Sequence, residues 1–158
     1  RDLAVVLTGE GAPAEDQPAL RLANGGLWPT TLVSRAGARI ELRNADPVSH
    51  QVIAEGLDEF GETPIAPGRM RPIDITAAGS WPLRDRLYDH VRGHLHVIPD
   101  LIARATIESD GQYRFTNVPP GTYTLKVFHG SEMIHSREGV VVEERELTLE
   151  PIQLGAPQ

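Results

Sequence analysis

The chain has 158 residues, 22 Asp and Glu against 15 Lys and Arg, a formal net charge of −7 and no cysteine. The length suits one domain or two small ones, and 40% apolar with 23% charged residues is the balance of a folded globular chain. The acidic excess argues against a general nucleic-acid binder, the missing cysteines exclude disulfides, thiolate nucleophiles, Cys-based zinc sites, iron–sulfur clusters and the thiolate of a blue-copper site, and no run reaches the roughly 18 apolar residues of a membrane-spanning helix.

The chain opens at Arg1 with no initiator Met and no signal sequence, which fits a mature or trimmed product. The 15 Gly and 13 Pro are scattered as punctuation between short apolar runs, and this points to an all-β sandwich architecture. Residues 3–8 read as a strand closed by Gly9-Glu-Gly11, and residues 12–18 as loop. Residues 19–23, 31–34 and 39–43 read as strands, the last alternating with Ile40 and Leu42 on one face. Asn44-Ala-Asp-Pro47 is turn chemistry, and residues 50–54 form the next strand. An acidic loop follows over 57–71, then an alternating strand over 71–76 and an irregular stretch over 80–91. Residues 93–98 alternate again, with Leu95 and Val97 on one face and His94 and His96 on the other.

After Pro99-Asp100 the rhythm changes. Strands are expected over 103–108, 112–115 and 122–128, joined by Ser109-Asp-Gly111 and Asn117-Val-Pro-Pro-Gly121 turns. Shorter candidates cover 132–135, 139–142 and 146–149, before a loose tail. These signals divide the chain into an N-terminal strand and loop (1–19), a first lobe (20–100), a second lobe (101–152) and a tail (153–158). A sandwich of this kind wants about seven strands and the second lobe offers six, so the 3–8 strand is a candidate to complete it.

Thr106-Ile-Glu-Ser-Asp-Gly-Gln-Tyr-Arg-Phe115 followed by Val118-Pro-Pro-Gly-Thr-Tyr-Thr-Leu-Lys-Val127 resembles the carboxypeptidase-regulatory-like domain. The resemblance implies a small prealbumin-like sandwich, accessory and non-catalytic, with Tyr123 as a core anchor. The first lobe resembles a cupredoxin: Leu42-Arg-Asn-Ala-Asp-Pro-Val-Ser-His50 matches the Asn-containing turn that leads to a copper-binding His. The order of the two lobes resembles periplasmic plastocyanin-like proteins labelled methylamine utilisation proteins. Their ligand loop has the form Gly-Cys-Asn-Ile-His-Asp-x-Met-x-Gly-Tyr-Ile-x-Val. Here the loop is Arg84-Asp-Arg-Leu-Tyr-Asp-His-Val-Arg-Gly-His-Leu-His-Val97, with Asp85 in place of Cys, Tyr88 in place of His and Val91 in place of Met. Val127-Phe-His-Gly130 echoes a further motif of that family, Val-Trp-His-Pro.

Against this pattern His50, Asp85, Tyr88 and Val91 mark a vacated copper site, because a blue-copper centre needs a thiolate and two imidazoles. His50 is then either a residual ligand or a buried ring bonded to its own loop, with Asp85 as the expected partner. His94 and His96, with His90 as a possible third ligand, form the alternative: a rebuilt copper or zinc site, or simply two imidazoles facing solvent or a seam. Ser49-His50 and Ser131…His135 lack nucleophile context, no phosphate-binding glycine motif is present, and the chain reads as non-enzymatic with no cofactor. Trp28 and Trp81 read as core or seam residues. The resemblance implies a periplasmic or extracytoplasmic location and a protein partner such as the face of a membrane electron-transfer complex. Glu55, Asp58, Glu59, Glu62, Glu143 and Glu144 are the candidate contacts to a basic patch on it.

Overall fold

A computed structural model describes residues 3–107 and 110–143, together with the backbone of 147–149. The described elements are strands apart from one turn of 3-10 helix, and they divide into two compact units, residues 17–99 and residues 3–16 with those from 100 onward.

The first unit is a β-sandwich of two four-stranded sheets. One sheet runs β3 (Gly26–Trp28), β2 (Ala19–Ala23), β5 (Arg39–Asn44), β7 (Met70–Asp74). The other runs β4 (Thr31–Arg35), β9 (Arg92–Ile98), β8 (Gly79–Asp85), β6 (Val52–Ala54). Each sheet holds one parallel pair, β2 with β5 and β4 with β9, among antiparallel neighbours. Alternation fixes the register: Leu20, Leu22, Ile40, Leu42 and Ile73 of the first sheet share one buried cluster with Leu32, Val52, Leu83, Leu95 and Val97 of the second. Phe60, at the end of the helical turn Asp58–Phe60, fills the same core and is fully buried.

The second unit is a smaller sandwich. Its four-stranded sheet runs β10 (Leu101–Arg104), β1 (Ala4–Thr8), β13 (Gly121–His129), β14 (Glu132–Val142). Its three-stranded sheet runs β11 (Thr106–Ile107), β12 (Tyr113–Phe115), β15 (Leu147–Leu149). β1 pairs antiparallel on both sides, with β10 and with β13, and the Gly9 amide donates to the Asp100 carbonyl at 3.0 Å. The loop after β1 then follows β10: the Ala14 amide donates to the Ile102 carbonyl at 2.8 Å, and Arg104 pairs with Asp16. Leu7, Phe115, Val118, Leu125 and Val127 centre the core, and the Tyr123 hydroxyl donates to the Pro119 carbonyl at 2.6 Å.

Several expectations need correction. The sequence predicts an irregular stretch over 80–91, but its first half is a regular strand, β8, whose Leu83 and Asp85 are buried. Pro82 masks it in sequence, because proline removes a ladder donor. The three residues of β3 escape notice because they lack length for a periodic pattern. The expected 103–108 strand is two elements, β10 and β11, and Glu108 lies outside the described residues. The two candidates at 132–135 and 139–142 form one strand, β14, which accommodates Gly139 at φ 71° through an irregular register. Trp81 packs on the first core, but Trp28 is 53% exposed, its indole N–H bonded to the Ala23 carbonyl. The 153–158 tail lies outside the described residues.

Candidate functional site

One end of the first unit gathers the β2–β3 turn, the β5–β6 loop and the β8–β9 loop. Asn44, the last residue of β5, organises the middle one: its side-chain amide donates to the carbonyls of Val48 and Ile65, both at 2.8 Å, and its carbonyl oxygen accepts the Asp46 amide at 2.9 Å. This is the turn chemistry expected of Asn44-Ala-Asp-Pro47. It delivers His50 just short of β6, paired through its backbone with Ile65.

The His50 ring is 1% exposed and lies between two carboxylates. Nε2 is 2.8 Å from Asp46 Oδ2, and Nδ1 makes a short bond to Asp85 Oδ2. The other oxygen of Asp85 accepts the amides of Gln51 at 3.1 Å and Leu87 at 2.9 Å. Asp46 Oδ2 also accepts the Gly25 amide at 3.1 Å, from a turn where Gly25 has φ 73°. Burial alone would push the Asp46 carboxyl up; the bond from His50 and the amides of Gly25 and Asn24 outweigh it, and the group sits below the ordinary carboxylate value. A carboxylate oxygen faces each ring nitrogen of the buried ring, so neither nitrogen is turned towards a free coordination position.

The other two positions of the expected site lie here as well. Tyr88 tilts against the His50 ring with centroids 5.2 Å apart. Val91, fully buried, donates its amide to the Tyr88 carbonyl and accepts the Asp85 amide. The structure thus brings His50, Asp85, Tyr88 and Val91 together. Asp46 is the partner that the sequence reading missed. Its signal is in the sequence: an acidic residue four before His50, within the Asn44-Ala-Asp-Pro47 turn.

These residues do not fit a blue-copper ion. The set offers no thiolate and no second imidazole, and the one imidazole is already bonded through both nitrogens. Among the described residues no group of three or more His, Asp or Glu is placed to hold a metal ion.

His94 and His96 form a second pair on β9, ring centroids 4.6 Å apart. The two differ in burial: His96 is 5% exposed, whereas His94 is half-buried, its Nε2 2.6 Å from the Ser80 hydroxyl. Partial burial lowers the His94 pKa and proximity to His96 lowers it further. His90 does not join them: it meets Tyr88 edge-on at 6.1 Å, with Nε2 over Gly25.

Of the acidic candidates, Glu55, Asp58 and Glu62 line a cleft of about 420 Å³ with Arg84 and Arg86. Glu55 is tied to Arg84 at 3.1 Å, and Asp58, Glu59 and Glu62 are exposed. Glu143 is exposed in the other unit, and Glu144 lies outside the described residues.

No family model matches the chain, and no curated protein matches it. Solved structures with some likeness include a methionine-to-alanine mutant of amicyanin in its Cu(I) form, at 16% identity over 59% of this chain and 97% of that one, TM-score 0.45. A purple cupredoxin from Nitrosopumilus maritimus matches at 15% identity over 51% of this chain and 99% of its own, TM-score 0.45. A copper-containing nitrite reductase from Thermus scotoductus SA-01 matches at 17% identity over 60% of this chain and 26% of its own, TM-score 0.46.

Proposed function

We propose that the chain is a non-enzymatic, extracytoplasmic recognition protein, a cupredoxin-like sandwich whose copper position has become a structural clasp. It docks on a larger protein assembly, with an electron-transfer complex as the partner class. One observation supports this above the others: both nitrogens of His50 are engaged by Asp46 and Asp85, in a loop cluster that also holds Tyr88 and Val91. A ring held this way has a fixed orientation and nothing to offer a metal. The remaining role for the lobe is shape and surface charge, and the exposed acids Asp58, Glu59 and Glu62 suit a basic partner.

Copper loading of the purified full chain tests the first half. The expected result is no stoichiometric ion at this end of the unit and no blue colour; a bound copper lost on His50→Ala would overturn the proposal. Cross-linking in native extract tests the second half. Capture of an electron-transfer complex should fall as salt rises and weaken in Glu59→Lys. Capture indifferent to both removes the acidic loop from the interface.

The neighbouring rings of His94 and His96, with centroids 4.6 Å apart, favour a second reading, in which this pair binds copper or zinc. Uptake at one ion per chain, abolished by His94→Ala with His96→Ala, would establish it in place of the first.

A further inference from the structure

The outer face of the β4-β9-β8-β6 sheet carries an arrangement that stability does not account for. Arg84 of β8 and Arg92 of β9 are direct cross-strand partners. Such partners have Cβ atoms about 5 Å apart, and like charges there are destabilising. In a chain with a net charge of −7, acids are abundant enough to separate them. Among the described residues only Glu55 does so, through one contact to Arg84 at 3.1 Å between two exposed side chains. Arg92 gives its Nε–H to the Asp89 carbonyl at 2.8 Å, and among the described residues no carboxylate pairs with it.

A cavity of about 220 Å³ lies at this pair. Its walls are Glu55, Arg84 and Arg92, over Pro82, Leu83 and Gly93. Two guanidinium groups over an apolar floor, against one carboxylate, leave a local excess of positive charge. The larger cleft shares Arg84 and Glu55 with it but also carries Asp58 and Glu62 beside Arg86, and there the charges balance towards the acids.

We infer that Arg84 and Arg92 form a binding site for a small oxyanion, a carboxylate or phosphate group, in the smaller cavity. Guanidinium forks match both groups through paired N–H donors. The Glu55 carboxylate occupies part of that position and is the internal competitor that a ligand displaces. The site is independent of the docking proposal, since it takes an anion and uses neither the His50 clasp nor Asp58, Glu59 and Glu62.

Calorimetric titration of the full chain at low ionic strength with citrate, and separately with inorganic phosphate, tests it. Saturable one-to-one binding is expected for at least one of them, and the arm that binds tells carboxylate from phosphate. Arg84→Gln and Arg92→Gln should each weaken it about tenfold, the loss of one charge-assisted bond. Glu55→Gln should tighten it, and Arg137→Gln, which removes the same charge from the second unit, should leave it unchanged. A thermal melt of each variant verifies folding. No saturable binding of either anion overturns the inference, as does wild-type affinity in folded Arg84→Gln or Arg92→Gln, or equal weakening by Arg137→Gln.

Discussion

The first unit holds two histidine clusters that sequence inspection would rank in the opposite order. His94-Leu-His96 has the spacing of a chelating pair, while His50 stands alone. In the structure His50 has the richer environment: two carboxylates, four backbone amides on their oxygens and an aromatic neighbour. His94 has a hydroxyl and a neighbouring imidazole that disfavours its charge. A histidine is available to an ion only through a nitrogen that nothing else has claimed. Both nitrogens of His50 are bonded within the fold, and His94 is the ring that stays partly exposed.

The sharpest way to break that contrast is to remove each ring. His50→Ala leaves Asp46 and Asp85 buried beside a cavity, each without its hydrogen-bond partner, a change that costs about 2–5 kcal/mol. His94→Ala, half-buried and neutral, should cost about 1 kcal/mol or less. Both tryptophans, Trp28 and Trp81, lie in the first unit, so denaturant titration followed by tryptophan fluorescence reads this unit alone. Equal losses in the two variants would show that the clasp contributes nothing particular.

The next largest effect is in acid. Asp46 has its pKa lowered in the folded state. Its contribution is therefore present above the unfolded value near 3.8 and is lost as the pH falls through the lower folded value. Melting temperature of the wild type should drop over that window, and Asp46→Asn, less stable at neutral pH, should show a flatter acid limb. A parallel pair of curves would sever Asp46 from the charge of the clasp.

The parts legible in sequence are those written in short-range pattern. The alternation of Ile40 with Leu42 and of Leu95 with Val97 placed strands that the structure contains, and the turn at Asn44 is where the side chain closes the loop. What stayed hidden was long-range or three residues long. β8 carries a proline that hides it, and β3 is too brief to alternate. The pairing of Arg84 with Arg92 is a consequence of register, which no local window contains. At the clasp, Asp85 is marked by a resemblance, whereas Asp46 reads as turn chemistry. Its second role depends on where the Asn44 turn aims the chain, and only the fold supplies that. Alternation sets His94 and His96 on one face, towards solvent or a seam, but does not say what covers that face: His96 is buried and His94 half-buried.

The smallest effect belongs to His94, and its sign opposes the usual histidine case. Its folded pKa is lowered, so the folded protein holds the neutral ring while the unfolded chain takes up a proton near 6.5. Stability from this group is complete above that value and declines as the pH falls below it, until the folded ring also protonates. Between pH 8 and 5, roughly the window set by the ordinary histidine pKa, the wild type should lose stability slightly more steeply than His94→Gln. Ser80→Ala, which removes the hydroxyl at 2.6 Å but leaves the burial and His96 in place, should keep the wild-type slope. A flat slope in Ser80→Ala would mean that the hydroxyl, rather than the second imidazole and the loss of solvent, governs the ring, and the two clusters would then be more alike than their surroundings suggest.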